Sequence, residues 1–144
     1  MSASLTLRYE FSQDDDVGWL EVGVQTARFG GSGGFWGQWQ DVAEWSTQLL
    51  AYPIPADGPP EIDWGRGDET TGKYQSIIKI RIAPANRRGD LDVIVAIADM
   101  DDERQLCRTA FRINYPDLER FGNEMQAMMR REAPMATLIG RSDS

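Results

Sequence analysis

Residues 78–97 read IKIRIAPANRRGDLDVIVAI, and their alternation decides the fold. Ile78, Ile80 and Ile82 alternate with Lys79 and Arg81, and Leu91, Val93, Val95 and Ile97 repeat the same period after a polar break. A period of two places every apolar side chain on one face of a strand. Asn86 to Asp90 carries the turn residues that join two such runs into a hairpin. Downstream, the acidic turn Asp99-Met100-Asp101-Asp102-Glu103 leads into a third run, Gln105 to Ile113, with Cys107, Thr109, Phe111 and Ile113 on one face. These three central strands are expected to form a meander.

Upstream, Leu5, Leu7, Tyr9 and Phe11 alternate with Thr6, Arg8 and Glu10, and a second strand is read from Trp19 to Phe29. The turn Asp14-Asp15-Asp16 makes the pair a second antiparallel hairpin. Along that second strand, Leu20, Val22 and Val24 share one side, and Trp19, Glu21 and Gly23 share the other. The run Gly30-Gly31-Ser32-Gly33-Gly34 reads as a break and a flexible lead into a helix, because glycine loses the most entropy on ordering. From Gly37 to Tyr52 the period becomes helical, with Trp39, Val42, Ala43, Ser46, Leu49 and Leu50 on one face and Trp45 on its flank. A stiff loop holding Pro53, Pro55, Pro59 and Pro60 follows, then a short strand at Glu61 to Gly65. Pro116 and Asp117 mark the start of a second amphipathic helix, whose apolar face carries Leu118, Phe121, Gly122, Met125, Met128 and Met129.

The expectation is an α+β domain over residues 1–132: an antiparallel sheet of about five to six strands with two amphipathic helices packed on one face. Residues 133–144 are read as a C-terminal tail, extended or mobile, with a small apolar patch at Leu138 and Ile139.

Composition narrows the chemistry. The chain has 144 residues, 15 basic against 23 acidic, a net charge of −8, no histidine and one cysteine. A histidine triad, a histidine general base, a cysteine-rich zinc site and an intramolecular disulfide are all excluded within one chain. The acidic balance and the scattered arginines oppose nucleic-acid binding, which depends on clustered lysine and arginine releasing counterions. No secretory signal and no apolar stretch near the roughly 20 residues of a membrane helix is present, so a cytoplasmic location without membrane contact is expected.

Motifs for catalysis fail one by one. The glycine run lacks the third glycine of a dinucleotide fingerprint, since Trp36 stands there, and no Gly-Lys-Ser/Thr follows. The acidic turns lack the spacing of an EF-hand loop, so solvated turns are the plainer reading and neither a metal nor a cofactor is expected. Carboxylates in turns nominate no acid–base pair, and Cys107 alternates with sheet positions as a buried filler. No catalytic residue is named. The remaining signal is surface: Asp14, Asp15, Asp16, Asp99, Asp101 and Asp102 gather in turns, and Phe35 and Trp36 fall outside any periodic pattern beside glycines. Carboxylates with aromatic anchors suit contact with a protein partner, with a basic one favoured by charge. Two other readings stay open. One is a small-molecule-binding protein or enzyme using carboxylate, arginine and tryptophan side chains in a pocket; the other is a structural homodimer joined through a sheet edge or the aromatic loop.

Between Trp19 and Met129 the arrangement resembles small bacterial immunity proteins of the WapI type and their uncharacterised relatives. The resemblance lies in Phe29-Gly30 closing a strand, the helix with Trp39, Val42, Trp45 and Leu49, and the Ile78-Ile80-Ile82 strand. It continues through the Gly89 turn before Leu91-Val93-Val95 and ends on the helix Asp117-Leu118-x-x-Phe121. It implies an intracellular antitoxin that neutralises the toxic domain of a contact-delivered protein, often a nuclease.

Overall fold

In the computed structural model, which describes residues 1–142, the alternating segments become strands and the two 3.6-period segments become helices. The order is β1 (Ser2–Glu10), β2 (Val17–Gln25), β3 (Gly30–Gln38), α1 (Trp39–Gln48), β4 (Glu61–Gly67), β5 (Tyr74–Pro84), β6 (Leu91–Ala98), β7 (Leu106–Ile113), α2 (Tyr115–Met129) and β8 (Ala136–Arg141). All eight strands belong to one antiparallel sheet in the order β3-β2-β1-β8-β7-β6-β5-β4. The sheet therefore has eight strands where about five to six were expected, and the two additional ones are β3 and β8.

The glycine run is a strand, not a break. Gly31 lies against Cys107 of β7, where an added Cβ would come within 2.6 Å. Gly33 lies against Ile97 of β6 at 2.7 Å by the same measure, and Gly37 is packed directly under the ring of Trp64 on β4. One face of β3 thus lies on the β4 to β7 meander with only the meander's own side chains between the two backbones at these points. Close packing across the sheet repays the entropy that glycine loses.

The C-terminal stretch read as a tail supplies β8, which pairs with β1 from Ser2↔Arg141 to Leu7↔Ala136. Ala136, Leu138 and Gly140 point inward and are buried, while Ile139 is exposed, so a period of two was present in the tail but short. Positions 143 and 144 of that tail lie outside the described residues. Toward β7 the ladder among the described residues is the single pair Arg112↔Arg141, so β8 is the corner where the sheet folds from one four-stranded half to the other.

The hairpins form where the alternation placed them: β1 pairs with β2, and β5, β6 and β7 run as a meander. The second strand ends at Gln25 instead of Phe29, because Thr26 N–H donates to Phe29 C=O at 2.7 Å and closes a tight turn into β3. In β5, Trp64↔Ile78 is followed by Gly65↔Ser76, leaving Ile77 as the extra residue of a bulge, and this turns both Ile77 and Ile78 into the core.

The core lies between the inner face of the curled sheet and the two helices. Leu5, Leu7, Leu20, Val22, Ile80 and Val93 meet Val42, Trp45, Leu118, Phe121 and Met125 there, with Trp45 and Phe121 edge to face at 6.2 Å. Trp45, read as flanking the apolar stripe, is buried, and Trp39, read as part of it, is 40% exposed. Helix α1 starts two residues later than its periodicity suggested, because β3 runs straight into it. Helix α2 begins with a full capping box: Asn114 Oδ1 accepts from Asp117 N–H at 2.8 Å and Asp117 Oδ2 from Asn114 N–H at 3.0 Å.

Candidate functional site

The β2–β3 hairpin builds the most distinctive surface. Register pairs Trp19 with Trp36 and Glu21 with Gly34, so these side chains share the outer face. Trp36 is 55% exposed and meets Trp19 edge on at 5.0 Å. Trp19 Nε1 donates to Glu21 Oε2 at 2.7 Å, which fixes the indole over Gly34. A side chain at 34 would collide with that ring, so the glycine is what lets Trp19 lie flat on the strand.

Four hollows adjoin one another around this pair. The first, about 470 Å³, lies between β3 and the β6–β7 turn and is lined by Trp19, Glu21, Gly30 to Gly34, Asp99, Asp101 and Leu106, among others. The second, about 550 Å³, shares Trp19 and adds Glu10, Asp15, Val17 and Trp36. The third, about 350 Å³, shares Val17 and Trp36 and adds Asp41, Asp63, Trp64 and Tyr74. The fourth, about 360 Å³, shares Asp41, Asp63 and Trp64 and adds Glu44 and Glu61. Nine carboxylates line this band, namely Glu10, Asp15, Glu21, Asp41, Glu44, Glu61, Asp63, Asp99 and Asp101. Among the described residues, no lysine or arginine lines any of the four.

The residues singled out from sequence divide among several roles. Asp15, Trp36, Asp99 and Asp101 fall on the band. Phe35 is half-buried against the core and only edges the third hollow, since odd positions of β3 face inward. Asp14 is exposed in the β1–β2 turn, where its N–H donates to Ser12 Oγ at 3.2 Å. Asp16 serves α1: its carboxylate accepts from Trp39 Nε1 at 3.2 Å and Gln40 Nε2 at 2.9 Å, and its C=O accepts from Trp39 N–H. This contact stands in for the absent side-chain cap at Gln38.

Asp99 and Asp102 also shape their own turn. Asp99 Oδ1 accepts from the N–H groups of Asp101 at 2.7 Å and Asp102 at 3.1 Å. Asp102 takes a two-pronged contact from Arg104 at 2.9 and 3.0 Å, and these hydrogen bonds hold its carboxyl below the ordinary range. Its charge is answered within the loop, whereas Asp99 and Asp101 face the first hollow.

Sequence reasoning missed Trp19, Glu21, Asp41, Asp63, Trp64 and Tyr74. The i, i+2 placement of Trp19 and Glu21 on one strand face was visible, but their meeting with Trp36 depends on the β2–β3 register. Asp63 and Tyr74 meet across β4 and β5, where Tyr74 Oη donates to the Asp63 C=O at 3.2 Å and Ser76 Oγ to Asp63 Oδ1 at 2.6 Å. Burial first, and then the Asp63 charge, push the Tyr74 hydroxyl above its usual value. Among the described residues, no group of three or more carboxylate or thiol side chains is placed to hold a metal ion. No helix among them is long and apolar enough to cross a membrane. No family model, curated protein or solved structure matches the chain.

Proposed function

We propose that the chain is a non-enzymatic protein-binding module, a cytoplasmic immunity protein that covers the basic surface of a toxin domain. The observation that carries this reading is the band of nine carboxylates, with no lysine or arginine lining its hollows among the described residues and with Arg8, Lys79 and Arg81 across the ladder from Glu21, Asp63 and Glu61, centred on the Trp19–Trp36 pair. Like charges gathered on one side raise the local potential and attract a basic partner from beyond contact distance. A rigid aromatic at the centre then supplies buried area with little side-chain entropy to lose. The net charge of −8 and the resemblance to WapI-type immunity proteins support the same reading.

Affinity capture from the native cell extract, at low and then high salt, tests it. A basic polypeptide that is retained at low salt, released at high salt and lost with Trp36→Ala supports the reading. A retained partner that is not basic, or whose retention ignores salt, overturns it.

A further inference from the structure

The hydrogen-bond phase of β3 shows which of its backbone groups lack a ladder partner. Thr26 N–H donates to Phe29 C=O and Trp39 N–H to Asp16 C=O, so the exchanging pairs of this ladder join even residues before the turn to odd residues after it. Gly31, Gly33 and Phe35 therefore bond inward to β2. The N–H and C=O groups of Gly30, Ser32, Gly34 and Trp36 point the other way, off the end of the sheet, since β3 is the terminal strand. That edge borders the first hollow, whose volume of about 470 Å³ is open along Gly30 to Gly34. Gly30, Ser32 and Trp36 on it are exposed, and Gly34 is buried beneath the Trp19 indole. None of the usual protections of an edge, such as a lysine, a proline or an inward charge, occurs in β3.

From this edge we infer that the chain takes up an extended segment of a basic polypeptide as a ninth strand, paired to the exposed Gly30, Ser32 and Trp36. This mode of contact rests on the reading of the chain as a binder of basic protein. Strand addition supplies affinity through main-chain hydrogen bonds and selectivity through alternate side chains. Here the two sides differ. One side of an added strand meets Trp19 and Glu21, which suits lysine or arginine, and the other meets Leu106 and Met100 at the β6–β7 turn, which suits an apolar side chain. The occupant is thus a segment alternating basic and apolar residues. A second copy of this chain is disfavoured, because pairing β3 with β3 would bring two carboxylate-lined clefts together.

The test compares two octapeptides of equal composition, one alternating lysine and valine and one with four lysines followed by four valines. The alternating peptide is expected to bind about ten-fold tighter, because only it presents both matching faces at once. On binding, the amide protons of Ser32 and Trp36 should exchange more slowly while those of Gly31 and Gly33 stay as they were. Ser32→Pro removes one outward N–H without touching the β2 ladder and should weaken the alternating peptide about three- to ten-fold. Ser32→Ala, which keeps the N–H, should not. Equal binding of the two peptides overturns strand addition while leaving a charge-driven binder intact. Failure of both to bind, or binding with no protection at Ser32 and Trp36, also overturns it; light scattering that shows a β3-dependent dimer would assign the edge to a second copy instead.

Discussion

The Tyr9 hydroxyl sits inside the β2–β3 ladder. Gly18 N–H donates to it at 2.9 Å and it donates to Gly37 C=O at 2.7 Å, so it bridges the two residues of the Gly18↔Gly37 register pair. Gly18 is required there because a Cβ would run into the same hydroxyl. Tyr9→Phe leaves a buried N–H and C=O facing a gap and should cost about 1–3 kcal/mol, read from the shift of the urea midpoint. Burial raises the Tyr9 hydroxyl above 10.0, so the folded state holds this proton more tightly than the unfolded state. The resulting stabilisation is fully present below pH about 10 and is lost as pH rises through the folded value. Urea denaturation across alkaline pH should therefore show a shallower decline in Tyr9→Phe than in the wild type. A residual decline should persist from Tyr74, which is raised in the same direction.

Glycines make a paired test at the same scale. Gly33→Ala pushes a methyl onto Ile97 Cγ2 and should destabilise by about 1–3 kcal/mol, whereas nothing lies within 4 Å of a Cβ at Gly23. Gly23→Ala should leave stability unchanged or raise it by up to about 1 kcal/mol through the unfolded chain. Composition alone treats these two glycines alike, and only the partner strand distinguishes them. The same holds for Trp39 and Trp45. Helical periodicity located the face, but the contact of Trp39 with Asp16 came from a turn 23 residues away in sequence.

At the scale of elements, the strands with branched apolar alternation were legible: β1, β2, β5, β6 and β7 each carry their own period of two. β3 was not, because its inward positions are mostly glycine and its hydrophobic pattern resides in Ile97, Cys107 and Trp64 on other strands. β8 was obscured by its length of 6 residues and by Gly140, which must be small to lie on Phe111 and Ile113. Yet β8 joins the two halves of the sheet, so a chain ending at Met135 should lose its cooperative urea transition, with β1 stripped of a partner over Ser2 to Leu7. Helix α2, by contrast, announces itself through Asn114, Pro116 and Asp117. Asn114→Ala should remove the capping box for about 1 kcal/mol, seen as a lower Tm with the native far-UV spectrum kept.

At the scale of the molecule, acidic excess was legible as a number and the turns as its carriers, but the assembly of carboxylates was not. Glu21, Asp41, and the pair Glu61 and Asp63 come from three places in the chain, namely β2, α1 and β4, and reach one band only because β3 rolls over the meander. Their joint field makes a kinetic prediction distinct from the loss of any contact. Replacing Glu21, Asp99 and Asp101 by their amides removes three charges from the walls of the first hollow. For the basic polypeptide captured by the wild type, the association rate at low salt should fall by about ten-fold or more, since steering contributes mainly to encounter. Near 1 M salt the Debye length is about 3 Å, and the association rates of wild type and variant should converge. Trp36→Ala should behave oppositely: association nearly unchanged, dissociation faster at every salt concentration, and stability lower by less than about 1.5 kcal/mol, the scale of its edge contact with Trp19. Stopped-flow mixing across a salt series measures both variants. A triple variant that slows association equally at low and high salt would mean that the band acts by local contact and not through its field.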